Sequence, residues 1–221
     1  MRTRILFMMI AGALAGKGLR GADARLELLD RIAVSVGKQV ITEGDVVRDL
    51  RISAFLDQKP VDLSAAAKRK AADRLVDQLL IQQEIAFSRV PLAVDEDAER
   101  ILTQLKSQYE SDGEYQAALA RYRITAPEVA DHILTGVRAL RFTDLRFRPE
   151  VDISEDDLHD FYNHLTEEGR KKGDVNIPTF EASRDTVEKL MIGQRIAQAL
   201  DLWLGSQRIQ IRIIYRDQVF K

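Results

Sequence analysis

The stretch Asp30 to Val46, DRIAVSVGKQVITEGDV, decides how the rest of the chain is read. Ile32, Val34 and Val36 alternate with Ala33 and Ser35, the two-residue period of a strand whose faces meet different surroundings. Gly37-Lys38 follows, and glycine at the first turn position supplies the positive φ that a two-residue hairpin loop requires. Gln39-Val40-Ile41 is the returning strand. Directly after it, Thr42-Glu43-Gly44-Asp45 reads as a capped helix start, although Asp stands where Glu or Gln is preferred. A hairpin this short is marginal alone and needs a third strand. At the far end Ile209, Ile211, Ile213 and Tyr215 alternate with Gln210, Arg212 and Ile214, so the two ends are expected to pair in one small antiparallel sheet.

Between these strands the period becomes helical. The first helix is expected to run to about Leu56; after Lys59-Pro60, Ser64 caps a long one to about Ser88, with Leu75, Val76, Leu79, Leu80, Ala86 and Phe87 as a broad apolar stripe. Asp95-Glu96-Asp97 opens the next, placing carboxylates at the positive pole of the helix dipole, with Ala98, Ile101, Leu102, Leu105 and Tyr109 on one face. A short helix after Gly113 carries Tyr115, Leu119 and Tyr122. Thr125-Ala126-Pro127-Glu128 combines a capping box with a proline in the first turn, where no amide hydrogen is missed. Val129, Ile133, Val137, Leu140 and Phe147 form the buried face expected of the helix it starts. Ser154 opens another with Leu158, Phe161, Tyr162 and Leu165. Residues 166–182 then lose periodicity and read as a linker, after which Ser183 starts a final helix with Val187, Ile192, Ile196, Leu200 and Trp203 inward. The fold class is therefore mainly α, a multi-helix module with a small antiparallel sheet formed by an N-terminal hairpin and the C-terminal strand.

Residues 1–24 read as a secretory leader. Arg2 and Arg4 form a basic start, Ile5 to Ala15 an apolar run too short to span a bilayer, and Ala22-Asp23-Ala24 a small-x-small site that places cleavage after Ala24. Residues 25–221 then form one domain. Cleavage removes four of the 33 basic and one of the 35 acidic residues, moving the net charge from −2 to −5. A mildly acidic protein without a clustered basic face argues against nucleic acid as partner. No later window suits stable membrane insertion, and with 0 Cys there is neither disulfide nor thiolate chemistry.

The order of elements resembles the peptide-binding module of SurA-type periplasmic chaperones, related to PrsA and more distantly to trigger factor. DRIAVSVGKQVITEGDV is similar to that family's opening hairpin and first helix, and RLVDQLLIQQEIAF (74–87) to the long helix after it. VDEDAERILTQL (94–105), YQAALARYRITAPEV (115–129) and VDISEDDLHDFY (151–162) resemble the later helices, and the last helix and strand the return to the hairpin. In SurA-like and PrsA-like proteins a parvulin domain lies between the two matched parts, whereas here only residues 166–182 join them, too few for an independent domain. The resemblance thus implies a chaperone module that holds unfolded polypeptides, outer-membrane protein precursors above all, without ATP, cofactor or isomerase chemistry. A degenerate prolyl isomerase and a dedicated envelope-assembly subunit are the alternatives. Tyr109, Tyr115, Tyr122, Phe161 and Tyr162 are the candidate peptide-binding residues, since tyrosine can offer apolar area while its hydroxyl stays wet.

Other motifs carry less. Asp131-His132-Ile133-Leu134 looks like the start of a parvulin strand but falls inside the helix begun at Thr125. His159 and His164, five apart, lie about 140° apart on a helix and do not share a face for a metal. Gly12 to Lys17 has one residue too few for a phosphate loop and lies in the leader. No Gly-x-Ser-x-Gly elbow exists, so no catalytic residue is assigned.

Overall fold

A computed structural model of the chain describes residues 30–221 apart from 90, 93, 174 and 175. The leader and its cleavage position lie outside the described residues. β1 (Ile32–Val36) and β2 (Gln39–Thr42) form the expected hairpin, with Gly37 at φ +58°. β3 (Ile213–Tyr215) pairs antiparallel with β1, Val34 opposite Tyr215, so the sheet order is β2-β1-β3 and the two ends of the described chain meet. Seven α-helices occur among the described residues: α1 (Glu43–Leu56), α2 (Ala65–Ser88), α3 (Asp95–Lys106), α4 (Asp112–Tyr122), α5 (Ala126–Phe147), α6 (Glu155–Lys172) and α7 (Phe180–Gln210). The protein is mainly α with a small antiparallel sheet, as its sequence pattern predicts.

The start signals act as chemistry requires. Thr42, Thr125 and Ser154 each accept from the amide three residues on, and Asp45, Glu128 and Asp157 each accept from the cap's own amide, completing three capping boxes. Three apolar clusters result. The sheet, α2, Phe142 of α5 and Leu204 of α7 form the first. The end of α1 with α3, α4 and the first half of α5 forms the second, and Leu158 of α6 with Val187 and Met191 of α7 the third.

Two expectations at the far end need correction. The last strand does not begin at Ile209: α7 continues to Gln210, leaving Ile209 88 % exposed. Arg208 fixes the helical phase there, its Nε donating to Asp77 Oδ1 (2.8 Å) and its Nη2 to the Asp73 carbonyl (3.1 Å) of α2. Only from Ile211 is the backbone extended, and the Arg212 carbonyl accepts from the Gly37 amide (2.9 Å). Nor is 166–182 a linker throughout. α6 runs on to Lys172, since Thr166 is buried and Arg170, Lys171 and Lys172 complement the negative pole of the dipole. Gly173, at φ +92°, ends it as a left-handed cap. Thr179 rather than Ser183 caps α7, and the Ser183 hydroxyl donates to the Thr179 carbonyl (2.7 Å).

Candidate peptide-binding groove

The aromatic candidates fall in two places. Tyr109, Tyr115 and Tyr122 surround Phe55, at ring-centroid distances of 6.3, 6.2 and 5.6 Å. Tyr115 is 1 % exposed and its hydroxyl has no hydrogen-bond partner, so it is a packing residue with no wet face to offer. Burial pushes the Tyr109 and Tyr115 hydroxyls above the ordinary tyrosine value. Tyr122 is half-buried and donates to the Lys59 carbonyl (3.1 Å). Phe161 and Tyr162 belong to the third cluster, where the chain doubles back along α6: Tyr162 donates to the Pro178 carbonyl (2.8 Å) and His159 stacks on Phe180 at 3.8 Å. The five candidates therefore do not converge on one surface.

A different set of residues lines an open apolar groove. Lys189, Ile192, Gly193, Ile196, Ala197 and Leu200 recur at spacings of three and four, so one face of α7 is turned to Ala139, Leu140, Thr143, Asp144 and Arg148 of α5, with Ile81 of α2 beside them. The cleft measures about 430 Å³. Leu140 is 73 % exposed, although its spacing from Val129 and Ile133 marks it for burial. The cause is a change of partner. Val129 and Ile133 pack into the cluster with α3 and α4, whereas further along Phe142 turns another side of α5 to the sheet cluster, and Leu140 is left between the two. Gly193 forms the opposite floor, and a β-carbon placed there would meet no atom within 4 Å.

A second cleft of about 510 Å³ lies between α6 and α7, lined by Tyr162, Leu165, Ile177, Pro178, Val187 and Leu190 among others. Thr186, Leu190, Gly193 and Ala197 are spaced i, i+4, i+7 and i+11, one stripe of α7, so the first two face one cleft and the last two the other along a common surface. From Ser183 to Leu200 α7 rises about 26 Å, the span of an extended segment of about eight residues. Leu190 on this stripe is 53 % exposed. Chemically the surface offers apolar contact without a reactive group, and of the five sequence candidates only Tyr162 borders it.

On the other side of α5 lies a charged trough of about 470 Å³ against α1 and α2. Most of its ions are paired: Arg48 with Asp45 (2.8 Å) and Glu128 (3.0 Å), and the buried Asp49 with Arg74 of α2 (2.6 Å), while His132 Nδ1 stands 4.0 Å from Asp49. Hydrogen bonds from Thr125, with Arg48 nearby, hold the Glu128 carboxyl below the usual range. This network ties three helices together. Asp131 to Leu134, the parvulin-like fragment, is one helical turn of α5, with Asp131 and His132 bordering the trough and Ile133 buried in the second cluster. No group of three or more His, Asp or Glu able to hold a metal ion, and no helix long and apolar enough to cross a membrane, occurs among the described residues. No family model and no curated protein matches the chain.

Proposed function

We propose that the chain is an ATP-independent holdase of the bacterial periplasm, a SurA-like peptide-binding module that holds unfolded outer-membrane or secreted proteins by their apolar segments. The observation that carries this reading is the open apolar surface along α7, from Leu190 past Gly193 to Ala197, with Leu140 left uncovered opposite. A concave, mostly apolar surface left open to water is where a ligand's apolar groups gain most by binding. The periplasmic assignment belongs to the same proposal and rests on the leader-like residues 1–24.

Binding on this reading is passive. Covering apolar client surface gains roughly 25 cal/mol per Å², and ordering a flexible client consumes much of it, so dissociation constants near the micromolar range and fast exchange are expected. Release then needs no nucleotide. The test is suppression of light scattering when a urea-denatured β-barrel protein is diluted with the chain present and ATP absent. Suppression at near-stoichiometric ratios supports the reading, and aggregation at the rate of a buffer control overturns it. A protease-coupled prolyl-isomerisation assay is expected to show no acceleration.

A further inference from the structure

The charges bordering the α5–α7 groove narrow the chemistry of its client. Most ionic groups nearby are committed: Arg148 donates to Asp144 (2.8 Å), Arg146 to Glu150 (3.0 Å), Arg184 to Glu188 (3.3 Å) and Arg195 to Asp157 (3.3 Å). Two cations are not. Arg141 follows Leu140 on α5 and shares a stripe with Asp144 and Arg148 at i, i+3 and i+7, while Lys189 lines the groove from α7. Among the described residues neither has a carboxylate oxygen within 4.0 Å, Asp185 one turn before Lys189 included. Both side chains are exposed. An apolar floor is thus flanked by Lys189 in its lining and by Arg141 next to the lining residue Leu140, neither within 4.0 Å of a carboxylate, whereas the trough on the other side of α5 is lined by Asp45, Asp49, Glu128 and Asp131 with Arg48, and Arg74 reaches Asp49 from outside it.

We infer that the α5–α7 groove selects apolar segments bordered by aspartate or glutamate over the same segments bordered by lysine or arginine. The inference rests on the groove being the client site. A carboxylate beside the apolar contact meets Arg141 or Lys189, and a cationic flank meets repulsion from the same two groups, so the charge pattern discriminates between clients whose apolar parts are equal. Exposed ion pairs are weak and screened, so the effect is a preference that fades with salt.

The experiment compares two fluorescent peptides sharing one apolar core, flanked at both ends by Asp-Glu or by Lys-Arg, by anisotropy against the full chain. The acidic peptide is expected to bind about five- to tenfold more tightly at about 0.05 M salt, with the gap closing at about 0.5 M. Arg141→Glu with Lys189→Glu, two exposed positions, is expected to invert the order without shifting the melting temperature. Equal affinities, with both peptides lost in Gly193→Trp, would overturn the selectivity and leave the groove standing. Binding of neither peptide would remove the groove as a client site, and the selectivity with it. An acidic preference untouched by the charge reversal would place the discriminating cations elsewhere and overturn the inference. Concentration-dependent dimerisation abolished by Gly193→Trp would make the groove a self-interface and overturn it too.

Discussion

Replacing Gly193 by tryptophan separates the groove from the fold that carries it. Gly193 is exposed in the interior of α7, and a β-carbon there meets nothing within 4 Å, so substitution causes no clash at the backbone. Glycine costs a helix interior about 1 kcal/mol relative to alanine, so Gly193→Ala is expected to raise stability by about that amount and the melting temperature by about 2–4 °C. Tryptophan has a poorer helix propensity than alanine but a better one than glycine, so Gly193→Trp is expected to melt no lower than the parent chain. Gly193 lines the cleft of about 430 Å³ with Leu140 and Ile196, so an indole laid over that apolar lining rather than in water fills it. Displacing about 100 Å² of client contact costs about 2.5 kcal/mol, a loss of affinity between tenfold and a hundredfold. The assay is aggregation suppression titrated with each variant, beside thermal unfolding followed by circular dichroism. Gly193→Ala is expected to melt higher and still protect clients, and Gly193→Trp to keep its stability and lose protection. Full protection by a stably folded Gly193→Trp would refute the groove's role.

Three further outcomes follow from the same contacts. Arg208→Ala strands the half-buried Asp77, whose carboxyl burial already pushes upward, and frees the end of α7 from α2; a loss of about 1–2 kcal/mol in urea unfolding is expected, and less when combined with Asp77→Asn. Tyr115→Phe removes a buried hydroxyl that has no partner and is expected to raise the unfolding midpoint, by up to about 1 kcal/mol, while leaving client affinity unchanged, whereas Tyr122→Phe loses its bond to the Lys59 carbonyl and should lower the midpoint slightly. The Glu128 carboxyl is held below its ordinary value of 4.5 by Thr125 and Arg48, so its contribution is present above that value and lost as pH falls through the lower folded one; Glu128→Gln is expected to flatten the acid limb of stability against pH below about 4.5.

The architecture was legible because its signals are local. Hairpin alternation, the glycine at 37 and the caps at Thr42, Ser64, Thr125 and Ser154 depend on neighbouring residues alone, and all six hold. The pairing of β1 with β3 followed from the need of a short hairpin for a third strand. Boundaries failed where a distant contact decides them: Arg208 reaching α2 keeps α7 helical through an alternating stretch, and burial of Thr166 extends α6 into residues without apolar period. The groove was harder to read for a related reason. An apolar stripe tells which face of a helix avoids water but not whether another element covers it, so Leu140 read as core and Phe87, 83 % exposed, did too. Tyr115 failed in the opposite sense, its position in the helix saying nothing of the rings of Phe55 and Tyr109 that enclose it. Gly193 carried no sequence signal of its own; a glycine inside a long amphipathic helix was the one available hint.

Site-specific photocrosslinking reports whether unfolded clients lie against α7. A photoreactive residue placed at Ala197 in the groove, or at Gln104, exposed on α3 away from it, is illuminated with an unfolded β-barrel protein present. Abundant client adducts are expected from position 197, competed away by an apolar peptide, and few from position 104. Adducts equally abundant from both positions, or none from 197 while the chain still prevents aggregation, would contradict binding along α7.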